Sequence, residues 1–254
     1  MAVRLKVLPF IYILLIALAE LLTSYYRAGT GLALHIIILF ALFTHAAFSH
    51  RADKERANLI MTMALAPLIR IISLYAPLST FHFVQWFMVL SFPLLCGMFL
   101  MIFFQHLPAQ AVGLVFRLKQ LPVHAAIAST GLLFGVGEYL ILRPQPLVPE
   151  LSFRSLAAPI LIMLVYTGFL EELIFRGIIQ HNAITYFKPD IGIFFVALLF
   201  AVMHIGNLSF MDVVLVFFIG YFYGYAVRFT GSIIGVSISH GLTNIVLFLL
   251  MPLL

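Results

Sequence analysis

The sequence predicts an all-α protein, a polytopic transmembrane helical bundle of about eight or nine spans. Three observations carry that expectation. Hydrophobic residues make up 64% of the 254 and charged residues 9%, against about 45–50% and about 25% in a soluble domain. The mean hydropathy is +1.16. Apolar runs of about 20 residues, enough to cross the hydrocarbon core, recur along the chain, and no polar stretch is long enough to wrap a soluble core.

Taken in order, the opening MAVRLKVLPFIYILLIALAEL places basic residues before an apolar run that leads to Ala17, Leu18 and Ala19. Cleavable signal peptides share this pattern. A retained first span is the simpler expectation, because the rest of the chain needs insertion anyway. Spans are expected at 7–26, 31–49, 59–77, 83–104, 123–142, 156–180, 190–206, 211–228 and 232–252. The polar HRADKERAN at 50–58 reads as a solvated stop between two spans. QHLPAQAVGLVFRLKQLP at 105–122 is too mixed to span and reads as a loop with a short interfacial helix. The Pro-rich RPQPLVPE at 143–150 reads as extended. Asp212 opens a span, where a carboxylate suits a helix N-terminus.

Charge supplies orientation. With the N-terminus inside, the cytoplasmic segments hold Arg4, Lys6, Arg51, Lys54, Arg56, Arg117, Lys119, Arg176, Lys188 and Arg228. The outer side holds Arg27, Arg143 and Arg154, and Arg70 falls within a span. The bias favours a cytoplasmic N-terminus. In a membrane protein the formal charge of +5 marks that side rather than a nucleic-acid partner. The one cysteine, Cys96, excludes an intrachain disulfide and a Cys-rich zinc site. Its apolar surroundings read as a small buried hydrophobe.

Against this background GFLEELIFRG at 168–177 stands out, because ionisable groups at membrane depth are costly and face a cavity or a partner. Glu172 and Arg176 are four apart on one helical face and can neutralise each other. Glu171 is rotated by about 100° from Glu172 and is left without a local counter-charge. That division gives Glu172 and Arg176 a supporting role and Glu171 the chemistry. A helix-end polar network of all three is the competing reading.

Two later spans supply partners. If the turn after this helix centres on Lys188 and Pro189, Glu171 and His204 each lie roughly 25 Å from it along antiparallel helices. Their side chains can then meet. His240 and Asn244 are four apart on one face of the last span. They can hold an oxyanion or act as interhelical glue. Gly220 and Gly224 form a small-xxx-small face on the neighbouring helix, which would let it approach the last span closely. Glu20 and Glu138 could line a cavity, but snorkelling or pairing is the simpler reading of each. His35, His45, His82, His106, His124 and His181 read as packing or interfacial residues.

A carboxylate and a histidine with a water between them form a general-base arrangement. Donors for developing negative charge complete an amide-hydrolysis site. His2Glu is also a zinc ligand set, although no HExxH is present and Asn244 would be a poor extra ligand.

EELIFRG resembles the EExxxR motif of the CAAX-protease and bacteriocin-processing (CPBP) family, also called Abi. FAVMH, from Phe200 to His204, resembles its FxxxH motif, and HGLTN, from His240 to Asn244, its HxxxN motif. The glycine-punctuated GYFYGYAVRFTGSIIG between them is similar as well. The likeness covers roughly 155–250. It implies that 151–254 is a catalytic helical core and that 1–150 contributes transmembrane helices without a motif. It further implies an intramembrane glutamic-type endopeptidase, akin to the enzymes that trim prenylated CAAX proteins. In that scheme Glu171 and His204 activate water, His240 and Asn244 stabilise the oxyanion, and Glu172 and Arg176 position the site. No cofactor is expected, although a zinc-dependent version stays open. The expected partners are the bilayer and a membrane-associated protein or peptide, in a prokaryotic plasma membrane. A non-catalytic regulator or bacteriocin-immunity scaffold of the same fold is the main alternative. A proton-coupled transporter ranks lower, since no second copy of the EExxxR segment suggests an inverted repeat.

Overall fold

The computed structural model describes residues 2–75 and 83–254. The end of the third expected span, at 76–77, and His82 lie outside them. The described residues are helical without a strand. Among the described residues eight segments are long and apolar enough to cross a membrane: Lys6–Tyr26, Ala28–Ser49, Lys54–Leu74, Leu118–Leu142, Phe153–Tyr186, Pro189–Asn207, Phe210–Thr230 and Ile234–Leu253.

The helices are α1 (Ala2–Leu21), α2 (Ala28–Ser49), α3 (Lys54–Met63), α4 (Leu65–Tyr75), α5 (Phe83–Gln105) and α6 (Leu121–Leu142). A long rod follows, composed of α7 (Phe153–Ile162), α8 (Leu170–Glu172) and α9 (Gln180–Tyr186), with wider π-helical turns at Met163–Phe169 and Leu173–Ile179. Next come α10 (Pro189–Val202), α11 (Phe210–Thr230) and α12 (Ile234–Ile245). One apolar core runs through both halves of the chain, from Tyr12 to Val236.

Several local expectations need correction. The polar stretch at 50–58 is not all loop. Asp53 accepts a hydrogen bond from the Arg56 N–H at 3.0 Å, and this N-cap starts α3 at Lys54, burying Arg56 and Ala57. The segment after α5 forms no interfacial helix beyond one 3-10 turn, Leu118–Gln120. Its backbone is stitched to the turn before α12: Ile233 N–H donates to the Gly113 carbonyl at 3.0 Å and the Ser232 hydroxyl to the Val115 carbonyl at 2.6 Å. Those bonds satisfy groups that a helix would have satisfied internally. Cys96 is exposed on α5 rather than buried, as an apolar side chain facing lipid would be. RPQPLVPE, expected to be extended, is irregular instead: Arg143 takes a left-handed conformation and residues 147–150 bend.

Glycines place α12. A Cβ at Gly131 would run into the Ser239 carbonyl oxygen, and one at Gly135 would lie 2.6 Å from the Thr243 carbonyl oxygen. A Cβ at Gly168 on the long rod would approach the Ser237 carbonyl to 2.5 Å. These missing side chains let the α12 backbone sit directly against α6 and the rod, which is how small residues drive helix association in lipid. Gly220 and Gly224 serve a different contact from the one expected. Their added Cβ atoms would meet the Arg176 Nη2 at 2.9 Å and the Ile193 Cγ2 at 2.6 Å. They therefore admit Arg176 and α10, not the last span.

Candidate active site

Glu171 and Glu172 occupy α8, between the two π-helical turns. Such turns are frequent at functional sites. The adjacent carboxylates face different surroundings: the Glu172 side chain is 0% exposed and that of Glu171 34%.

Glu172 forms the ion pair expected of it, accepting from Arg176 Nη1 at 2.9 Å. The same oxygen, Oε1, also accepts from His240 Nδ1 at 2.9 Å, so Glu172 fixes the ring on the last span. The Arg176 guanidinium lies 4.1 Å from the centre of the Phe200 ring and 5.5 Å from that of Tyr223. These aromatic faces help hold a buried cation. Glu171 Oε2 stands 4.0 Å from His240 Nε2. The carboxylate without a partner on its own helix thus faces the second nitrogen of the ring that Glu172 holds.

The turn between the rod and α10 falls at Lys188 and Pro189, as expected, with Pro189 opening α10. His204, just beyond α10, places Nδ1 2.9 Å from the Phe200 carbonyl oxygen. A carbonyl only accepts, so Nδ1 carries the proton and Nε2 keeps its lone pair. Phe200 is more than a motif letter. Its ring centre lies 4.7 Å from that of His204 and 5.9 Å from that of His240, so one aromatic plate carries both histidines and Arg176. Asn244 Nδ2 donates to the Thr167 hydroxyl at 2.9 Å, and that hydroxyl donates to the Met163 carbonyl at 2.6 Å. One amide hydrogen of Asn244 is committed there and the other is left to serve a ligand.

Glu171, His204, His240 and Asn244 line one cavity of about 380 Å³, within the usual size of ligand sites. A smaller recess of about 20 Å³ opens beside His204, His240 and Asn244, enough for roughly one water. A third space, about 160 Å³, reaches Glu171 along Ile69, Leu90, Leu94, Leu170 and Ile174. Among the described residues no group of three or more His, Cys, Asp or Glu converges at metal-ligand geometry.

Sequence reasoning missed part of the site. Thr167 had a signal, lying one turn before Glu171 on the same helical face. Arg70 and Glu138 also line the large cavity, although both come from spans without a motif. The pairing expected of Glu20 is present: Arg70 Nε donates to Glu20 Oε1 at 2.8 Å, and His35 Nε2 lies 3.5 Å from the same oxygen. Arg70 Nη2 also donates to the Met203 carbonyl at 2.9 Å, next to His204. Glu138 differs from its expectation. It is buried at the cavity wall, and no described side chain hydrogen-bonds to it. Asp212 stands near the start of α11, where its N–H bonds to Ser209 and its carboxylate accepts from Asn207 at 2.8 Å.

Residues 152–246 match the family model described as type II CAAX prenyl endopeptidase, Rce1-like. The match spans α8, His204 and the stretch from His240 to Asn244. No curated protein and no solved structure matches the chain.

Proposed function

We propose that this integral membrane protein, with its Rce1-like type II CAAX prenyl endopeptidase domain at 152–246, hydrolyses a peptide bond of a membrane-associated protein or peptide. The observation that carries the reading is the convergence of Glu171, His204, His240 and Asn244, from three separate stretches of chain, on one cavity. In this reading 151–254 is the catalytic core, and the helices of 1–150 complete the wall. The N-terminus is cytoplasmic and the membrane is a prokaryotic plasma membrane.

Water binds between Glu171 and the bare Nε2 of His204. As its oxygen attacks the scissile carbonyl, Glu171 takes the proton. Charge develops on the carbonyl oxygen, which His240 Nε2 and the free amide hydrogen of Asn244 receive. Because His240 Nδ1 is committed to Glu172, Nε2 donates when the ring is doubly protonated, and the two flanking carboxylates complement that charge. The C–N bond then breaks and the nitrogen, protonated from a carboxyl group at the cavity, leaves as an amine. The apolar space beside Glu171 suits an apolar substrate segment. The scheme needs no cofactor, and activity after chelation, together with the metal content of purified protein, tests that point.

The decisive experiment compares peptide termini by mass spectrometry in membranes bearing the wild type and Glu171→Gln. A terminus formed only by the wild type supports proteolysis and identifies the substrate. Identical termini at equal expression defeat the reading and favour a non-catalytic scaffold.

A further inference from the structure

The cavity holds a second carboxyl group that the proposed chemistry has not used. Glu138 comes from α6, outside the segment matched by the family model. It lines both the large cavity and the one-water recess, together with His204, His240 and Asn244. Glu171 lines only the former of these two spaces. The carboxyl interacts electrostatically with Glu171 on α8, His240 on α12 and Asp212 on α11. Burying a carboxylate without a bonded cation is costly, whereas a neutral carboxyl group in such a place can store a proton.

Geometry gives that proton a destination. The last helix, α12, packs against both α6 and the rod that carries α8. Glu138 and Glu171 therefore reach the cavity from different walls, with His240 and Asn244 on the helix between them. With the carbonyl oxygen on His240 and Asn244 and the carbon facing water at Glu171, two substrate orientations remain, and in one of them the leaving nitrogen faces α6 and Glu138.

We infer that Glu138 is the proton donor to the leaving amine, a catalytic residue supplied by the motif-free half. The inference rests on the endopeptidase reading above. Glu171 gains a proton from water as the C–O bond forms, and Glu138 gives its proton to nitrogen as the C–N bond breaks. Water in the large cavity, which both carboxyl groups line, then returns a proton from Glu171 to Glu138, so that the cycle consumes one water and yields one acid and one amine. The division of labour explains why a costly carboxyl group stands beside the motif residues.

The test uses a synthetic peptide spanning the wild-type-only terminus, and an aryl ester with the same acyl part. A phenolate leaves without a proton, so the ester bypasses the donor. With Glu138→Gln, amide turnover should fall by about 100-fold or more, while ester turnover falls less than tenfold. Glu171→Gln should impair both. An equal loss on both substrates marks a structural role and overturns the inference, as does no loss on either. Glu138→Ala in the presence of formate is the second arm: restored amide turnover is expected, and no restoration in a variant that keeps ester turnover overturns the donor assignment. Wild-type inactivity on both substrates would instead defeat the endopeptidase reading itself.

Discussion

The bundle holds two clusters of the same composition, and they are built differently. Glu20, Arg70 and His35 come from three helices, and Arg70 reaches on to the Met203 carbonyl. Glu172 and Arg176 share one helix, His240 joins them from α12, and aromatic rings cover the guanidinium. The first cluster fastens distant helices together. The second fixes the ring of a histidine whose other nitrogen faces Glu171. Identical charge chemistry can therefore hold the wall of a cavity or aim its reactive groups, and what separates the two cases is the free carboxylate beside the second cluster.

The largest expected effect tests that free carboxylate. Glu171→Gln should lower turnover by about 10²–10⁴-fold, the usual worth of a general base, with little change in thermal unfolding. Turnover within threefold of the wild type would break the comparison, leaving two structural clusters and no chemistry at either.

The next effect distinguishes the clusters through stability. Glu172→Ala strands the fully buried Arg176, at about 3–5 kcal/mol, because a buried charge loses its partner. Glu20→Ala should cost less, because Arg70 is 19% exposed and keeps its bond to the Met203 carbonyl. The folded fraction of Glu20→Ala should still cleave, whereas that of Glu172→Ala should not, since the ring of His240 loses its anchor. Melting curves paired with turnover per folded molecule check this. Equal residual turnover in the two variants would erase the functional difference between the clusters.

A smaller effect comes from replacing each pair with apolar residues. Glu20→Leu with Arg70→Met should unfold close to the wild-type temperature, because a buried ion pair and a well-packed apolar replacement are often equivalent in stability. Glu172→Leu with Arg176→Met should be comparably stable yet inactive. A stable and active second double variant would show that His240 needs no carboxylate behind it.

What the sequence revealed follows the same division. Helical spacing made the Glu172 and Arg176 pair legible, since both partners lie on one helix and four residues is one turn. Depth matching across the Lys188 and Pro189 turn brought His204 to the level of Glu171. Partners from distant helices were harder to read. That Glu138 reaches the cavity depends on α6 lying against α12, which the small surfaces of Gly131 and Gly135 permit, and no local pattern assigns those glycines to that partner. Cys96 was misread for a related reason. In lipid an apolar run fits the bundle interior and its outer surface equally well, so hydropathy located α5 without saying which side faced inward.

The smallest expected effect concerns Thr167, which separates holding from reacting within the motif wall itself. Its hydroxyl accepts one hydrogen of Asn244 and donates to the Met163 carbonyl. Thr167→Val keeps the shape and removes both bonds. A hydrogen bond of this kind contributes about 1 kcal/mol, so turnover should fall several-fold, up to about tenfold, as the amide of Asn244 swings away from the oxyanion. KM should hardly move, because the charge that Asn244 meets exists only in the transition state. Thr167→Ser keeps the hydroxyl and should restore most of the loss. A rise in KM at unchanged kcat would place Asn244 on the bound substrate rather than on the developing charge. That result would move Asn244 from the reacting cluster to the holding one.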